Sequence, residues 1–283
     1  MGTQPPGAVS GNLDQRIIRG ELGERRRDLL QAIDVFDEVD STNLALQRLP
    51  KSLQHAHAII AGRQTAGRGR RGRAWHSPSG CNIYLSMGWR FPASTGLAPL
   101  PLAVAVAGVR AMHRAGVRGC GIKWPNDLLV AGKKLAGILV EVQRGDEREA
   151  VAVIGMGINL GMPPDSEARN AITQEWTDMT AHMADPVAPD LRSRACGWVI
   201  DELLGALCQY SESGFHPFAA EWSELDLLRG RRVRLENGQD SFEGTAMGIS
   251  ERGGLLIECS ATPGTGPVRE FVAGEVSVRL TGA

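Results

Sequence analysis

Two stretches of the chain hold residues suited to chemistry on an anion. From Arg63 to Arg73 the sequence RQTAGRGRRGR places Arg63, Arg68, Arg70, Arg71 and Arg73 among Gly67, Gly69 and Gly72. A segment so charged and so rich in glycine cannot bury itself. It exposes backbone N–H groups and guanidinium forks together, which suits a pyrophosphate or nucleotide anion that orders the loop on binding. A solvated basic loop or an RNA-binding tract is the alternative, and the phosphate-cradling spacing G-x-x-x-x-G-K-[ST] occurs nowhere in the chain. The second stretch is KWPNDLLV at 123–130 followed by KKLAGILVE at 133–141. Pro125 interrupts a strand, and Asn126 and Asp127 then place an amide and a carboxylate at the turn that opens the next one. Asp127 suits either Mg²⁺ or the orientation of an amine, and Lys134 aims an ammonium at a carboxylate or acyl phosphate. A plain Asn-Asp turn with surface lysines reads equally well in isolation.

Cation usage bears on the second stretch. Of 31 cationic side chains 27 are arginine, and three of the four lysines, Lys123, Lys133 and Lys134, fall inside it. Where the chain needs only charge it uses arginine, so a lysine there points to a compact ammonium, against drift in composition as the alternative. Two weaker features accompany these. GMGINL at 155–160 joins small residues, which let a ligand approach a strand end, to Asn159, which offers a donor and an acceptor to a base or ribose. Asp40-Ser41-Thr42-Asn43 reads as a helix N-cap. The six histidines show no metal-ligand spacing and read as structural or surface residues. No G-x-S-x-G elbow is present, so the constellation is electrostatic: cations and backbone donors around an anion, with one carboxylate.

The elements that must position these groups follow from patterning. A chain of 283 residues with 42% hydrophobic and 22% charged residues is long enough for a large domain plus a small one and excludes collagen-like, coiled-coil and wholly disordered classes. A net charge of -1 excludes a global basic field for nucleic acid or an anionic membrane. Five cysteines without C-x-x-C spacing support neither a disulfide framework nor a zinc site, and with no signal peptide or long apolar run the expected compartment is the cytoplasm. Residues 1–33 are expected to be a flexible segment with a short helix, its arginine triplet at 25–27 a solvated face. Strands are predicted near 58–61 and 82–89, a helix over 97–115, a hairpin turning at Ala131-Gly132, a strand ending at Asn159 and a helix over 191–213. Short strand-like runs after Leu228 predict a small β-barrel or sandwich, giving domains at 34–228 and 229–283.

In this order the motifs VDSTN (39–43), QTAGRGRRGRAW (64–75), KWPNDLLV, KLAGILVE (134–141), GMGINL and GEVSVR (274–279) closely resemble those of the bacterial biotin–protein ligases. The resemblance implies an α+β fold: a catalytic domain like the class II aminoacyl-tRNA synthetases, a mixed sheet flanked by helices, with a C-terminal Src-homology-3-like barrel. It implies ATP-dependent joining of biotin, through biotinyl-5′-AMP, to a lysine of a biotin carboxyl carrier domain. It also implies roles for individual residues. Ser41, Thr42, Asn43 and Gln64 would hydrogen-bond the ureido ring or flank the biotin site; Gly67, Arg68, Gly69 and Arg70 would close over biotin; Gly137 and Gly155 would line its pocket. Lys134 would meet the biotin carboxylate and the acyl oxygen, with Arg70 and Asp127 completing the catalytic set. Arg70, Arg73, Trp75, Asn126, Lys134 and Asn159 would face ATP or the adenylate, with Asp127 on Mg²⁺. Trp176 would stack adenine, unless it is a core or surface tryptophan, and Arg279 would reach the phosphates.

Ligases of this family that also repress transcription carry a winged helix ahead of the first motif. Only residues 1–38 precede it here, so the expectation is a ligase that binds no DNA and no membrane, with a homodimer left open. The rival readings are a lipoate or octanoyl ligase of the same superfamily, a catalytically silent binder of biotinyl-adenylate, and a nucleic-acid module, which lacks interleaved aromatics near its arginines.

Overall fold

The apolar runs of the chain assemble, in the computed structural model, into two sheets. The structure describes residues 13–144, 148–162, 172, 174–184, 187–237, 240–259, 266–272 and 276–280. The larger sheet has seven strands: β1 (Ala32–Val39), β2 (His57–Gln64), β3 (Ile83–Pro92), β4 (Cys120–Lys123), β5 (Asp127–Val130), β6 (Lys133–Arg144) and β7 (Glu149–Ile158). They lie in the order β1-β2-β3-β7-β6-β5-β4. β1 and β2 run parallel and the other pairs antiparallel, so the sheet is mixed. The hairpin between β5 and β6 turns through Ala131 (φ 50°) and Gly132 (φ 78°), the paired left-handed positions of a tight hairpin turn.

One face is closed by helices. The short helices in chain order are α1 (Gln15–Gly20), α2 (Glu24–Leu29), α3 (Thr42–Arg48) and α4 (Lys51–Gln54). The long α5 (Leu100–Arg114) and α6 (Leu191–Ser213) are followed by α7 (Ala219–Leu225). Leu102, Val106 and Val109 of α5 and Val199, Leu203 and Leu207 of α6 bury their stripes against the sheet residues Leu85, Met87, Ile138, Ile154 and Met156. The second sheet comprises β8 (Arg232–Asn237), β9 (Asp240–Ile249), β10 (Leu255–Glu258), β11 (Val268–Phe271) and β12 (Val276–Leu280). It is antiparallel, ordered β11-β10-β9-β8-β12, and its Val233, Leu235, Ile257 and Phe271 join the same core. The architecture is the expected mixed sheet flanked by helices with a small C-terminal antiparallel sheet.

The flexible 1–33 segment needs correction. Residues 1–12 lie outside the described residues, but from Leu13 the chain is packed. Ile18 and Leu22 are buried in the core. Gly23 N donates to the buried Asp201 carboxylate of α6 at 3.0 Å, and that carboxylate also pairs with Arg114 at 2.9 Å and faces Arg26 at 3.8 Å. Arg25 and Arg27 are exposed, as a solvated face requires, whereas Arg26 is half-buried: a Cβ placed on Gly205 would sit 2.7 Å from its guanidinium.

Candidate active site

The face of the large sheet opposite α5 and α6, on which α3 packs through Leu46 against Ile59 and Val153, carries the cavity. Antiparallel register puts Ser86, Gly155 and Leu139 side by side across β3, β7 and β6, and two residues further along places Tyr84, Gly157 and Gly137 in the next row. Strand residues two apart share a face about 7 Å from one another. The sequence thus lays down two rows, each with a glycine at its centre, and the space over each glycine is taken by a side chain from elsewhere. Over Gly155 lies Asn43, whose Oδ1 would be 2.4 Å from an added Cβ; over Gly157 lies the Trp75 indole, also at 2.4 Å.

The Asn43 end is a polar wall. α3 begins after Ser41, which is buried and extended but makes no capping bond with its side chain, against the expected N-cap. The donor at the helix start is served by another residue instead: Thr42 N and Oγ1 donate to Gln64 Oε1 at 2.9 and 3.2 Å, and Gln64 Nε2 donates to Ser77 Oγ at 3.0 Å. Ser86 Oγ sits 2.7 Å from Thr42 Oγ1 and 2.6 Å from Asn43 Oδ1, and Asn43 Nδ2 donates to Glu141 at 2.8 Å.

The other end is cationic. Lys134 Nζ lies 2.8 Å from Asp127 Oδ1, both side chains mostly buried, and 5.4 Å from the centre of the Trp75 ring. Arg70 Nη1 donates to Asn126 Oδ1 at 3.2 Å, while Asn126 Nδ2 donates to Ile138 O at 2.8 Å. Burial pulls the Arg70 pKa below the usual arginine value, and the Asp127 carboxylate opposes that shift. An ammonium has three donors, so Lys134 can keep Asp127 and still meet a second anion.

Residues 67–75 form a small hairpin rather than an open cradle. Gly69 N donates to Arg73 O at 2.7 Å and Trp75 N to Gly67 O at 2.9 Å, and Arg68 bridges to Ala74. The N–H groups of Gly69 and Arg73 are therefore spent within the loop and do not await an anion. Gly67 is glycine because the return strand is too close: a Cβ would be 2.4 Å from Trp75 O. The guanidinium groups are what the loop offers. Arg68 pairs with Glu141 at 2.9 Å, Arg70 turns inward and Arg73 stays exposed.

Asn159 also differs from expectation. Its Nδ2 donates to Lys134 O at 3.2 Å and Thr177 O at 3.0 Å, so its donor side is committed to backbone. By doing so it fastens residues 175–179 along the start of β6, where Lys134 N donates to Glu175 O and Thr177 N to Lys134 O. Trp176 rides on that segment and packs with Cys81, Met162 and Ile172.

The cavity, about 210 Å³, is lined by Ser41, Thr42, Asn43, Gln64, Arg68, Gly69, Arg70, Arg73, Trp75, Asn126, Lys134, Gly137, Gly155, Asn159 and Trp176 among the residues named from sequence. Gly67 and Asp127 are not part of this lining but touch residues that are, Gly67 against Trp75 and Asp127 against Lys134. Arg279 pairs through its backbone with Arg234 on β8; its side chain lies outside the described residues. His76 lines the cavity, where the sequence reading had only structural or surface histidines. Sequence reasoning gave no role to Ser86, Ser77 or Glu141. The one signal for Ser86 was a serine inside the apolar run IYLSMGW.

Comparison with known proteins converges on this site. Residues 35–159 match the Biotin/lipoate A/B protein ligase family and residues 229–279 the Biotin protein ligase C terminal domain. The Bifunctional ligase/repressor BirA of Escherichia coli (strain K12) is 36% identical over 249 residues, covering 88% of this chain and 74% of that protein. The chain belongs to the biotin protein ligases. The Biotin--[acetyl-CoA-carboxylase] ligase of Mycobacterium tuberculosis is 33% identical, over 87% of this chain and 90% of its own length. Among solved structures, the biotin protein ligase from Aquifex aeolicus in complex with biotin and ATP superposes with a TM-score of 0.73 at 27% identity, covering 89% of this chain and all of that one. The ligase family thus accounts for both the mixed sheet and the small antiparallel one.

Proposed function

We propose that this ligase attaches biotin to a lysine of a biotin carboxyl carrier domain in two steps, with the cavity holding the reactants of both. A bicyclic urea needs donors and acceptors at one end of its site, and a carboxylate needs cations at the other. The observation that carries the reading is that arrangement: the Ser41, Thr42, Asn43 and Gln64 wall at the Gly155 row, and Lys134 with Arg70 beyond the Gly157 row, with Leu139 and Leu85 among the lining residues. In the first step a carboxylate oxygen of biotin attacks the α-phosphorus of ATP, the bond to the β-phosphate oxygen breaks, and pyrophosphate leaves. Lys134 holds the carboxylate and Arg70 the developing phosphate charge; Arg68 and Gly69 keep the loop over the pocket and limit access of water to the mixed anhydride. Trp176, Asn159 and Arg73 border the adenylate. In the second step the carrier lysine's amine attacks the acyl carbon, AMP leaves, and Asp127, beside Asn126, takes the amine proton.

Magnesium, expected with ATP at Asp127, does not fit this chain's residues as arranged. The Asp127 carboxylate already faces the Lys134 ammonium at 2.8 Å, and among the described residues no three His, Cys, Asp or Glu side chains come together. No step is assigned to a metal held by the protein. No helix among the described residues is long and apolar enough to cross a membrane.

The reading is tested by exchange of radiolabelled pyrophosphate into ATP with a single acid offered. Exchange is expected with biotin and not with lipoate, which has no urea to satisfy the polar wall; exchange with lipoate alone overturns the substrate assignment, and exchange with neither overturns the ligase chemistry.

A further inference from the structure

One carboxylate outside the cavity gathers more donors than any group inside it. Glu141 stands on β6 in the row beyond Leu139, its side chain 23% exposed. Its Oε1 lies 2.9 Å from Arg68 Nη2, and its Oε2 accepts from Asn43 Nδ2 at 2.8 Å, Gln47 Nε2 at 3.1 Å and Arg68 Nη1 at 3.4 Å. It does not line the cavity. What it touches is the loop on one side and the polar wall on the other.

Two consequences follow. Because Glu141 takes the Asn43 amide nitrogen, Asn43 Oδ1 is left to face Ser86 Oγ, so the carboxylate decides which way the wall's amide points. And the contacts form a closed circuit: Arg68 to Glu141, Asn43, Ser86 and Thr42, whose backbone N–H donates on to Gln64 Oε1, and then Ser77, whose Oγ donates to Trp75 O at 3.0 Å. The circuit leaves the arginine hairpin at Arg68 and rejoins it at Trp75, so the wall clamps both ends of the loop. An isolated pair with Arg68 42% exposed would contribute little. A carboxylate that also orders two amides from α3 pre-organises the loop instead of holding it alone.

We propose that Glu141 is a positioning residue that fastens the arginine loop to the ring-binding wall and thereby sets how long the acyl-adenylate is retained. The retention half of this rests on the ligase reading above; the fastening half does not. Glu141→Gln removes the charge and presents a donor where only acceptors fit, and Arg68→Gln breaks the same pair from the exposed loop while leaving the sheet untouched. In both variants trypsin is expected to cut after Arg70, Arg71 and Arg73, the sites that both retain, about tenfold faster than in the wild-type protein without ligand, the loss of roughly one charge-assisted bond. With biotin and ATP, release of the adenylate and the KM for biotin in pyrophosphate exchange are each expected to rise about tenfold in both variants, while in Glu141→Gln, whose side chain lies outside the cavity, kcat at saturating biotin changes by less than about threefold. Loop cleavage and adenylate release within about twofold of wild type in both variants would overturn the proposal, as would a fall confined to kcat and melting temperature. If Glu141→Gln does not fold, Arg68→Gln alone decides. Wild-type protein that exchanges with no acid removes the ligase reading, and the trypsin comparison still judges the fastening.

Discussion

At the residue scale, the site depends on a distinction the sequence makes between two cations. The arginine loop supplies planar, weakly hydrated charge from a segment that is itself a hairpin, whereas Lys134 supplies a point charge from a strand, mostly buried and already opposite Asp127. A guanidinium at 134 would keep the charge but not the geometry. Its fork is wider than an ammonium, and the neighbouring positions are filled, since an added Cβ on Gly137 would lie 3.2 Å from Lys134 Cε and 3.0 Å from the Trp75 ring. Lys134→Arg is therefore expected to keep the fold and to lower kcat for pyrophosphate exchange by roughly a hundredfold, the loss typical of a displaced electrostatic group. Turnover within a few-fold of wild type would remove Lys134 from the chemistry.

At the scale of elements, legibility followed locality. Helices α5 and α6, the β5–β6 hairpin and the strand ending before Asn159 showed their period or turn chemistry within a short window, and the structure has them. The lysine of KLAGILVE stood out because the chain is otherwise so poor in lysine. What the sequence did not show depends on strand order. Ser86, Gly155 and Leu139 become neighbours only because β7 inserts between β3 and β6, and Glu141 meets Arg68 across 73 positions of chain. The use of Asn159 as a backbone clip, and of the Gly69 N–H within the loop, likewise required knowing what lay opposite. The helical pattern of the N-terminal segment was legible but its packing was not, for the same reason, since its anchor, Asp201, is 178 positions from Gly23. That anchor is testable. Asp201 is buried and receives Gly23 N and Arg114, with Arg26 nearby, but the two arginines are a third or more exposed. Removing it leaves one backbone donor without its partner and strands only partly solvated cations. Asp201→Ala is thus expected to cost about 2–3 kcal/mol, below the usual loss from a fully buried pair. Urea unfolding measures this, and trypsin cleavage at Arg25–Arg27 is expected to accelerate in parallel; an unchanged midpoint would show that the apolar contacts of Ile18 and Leu22 hold the segment alone.

At the scale of the whole molecule, the small sheet is seated close to the site's own scaffold. Trp124, fully buried and two residues ahead of Asn126, donates its indole N–H to Gly253 O at 3.0 Å, in the turn between β9 and β10. That turn presses on the start of α5: a Cβ on Gly253 would come within 2.9 Å of Pro99 Cβ and 3.1 Å of Leu102 Cδ1, and the residue has φ +78°. Gly253→Ala therefore carries two penalties, a left-handed alanine costing about 1 kcal/mol and a clash against a rigid ring. Gly230 separates them, because it has a similar φ of +75° and nothing within 4 Å of an added Cβ. Gly230→Ala is expected to lose only the conformational part, about 1 kcal/mol, and to leave exchange kinetics alone. Gly253→Ala is expected to lose about 1–3 kcal/mol more, the range for overpacking, and to slow pyrophosphate exchange as well, since the displaced turn pulls on Trp124 and through it on the Asn126-Asp127 corner. Thermal denaturation of the two variants side by side, with exchange rates at saturating biotin, reads both effects. Equal destabilisation of the pair, with exchange untouched in each, would mean that the small domain rests against the catalytic one without bearing on its geometry.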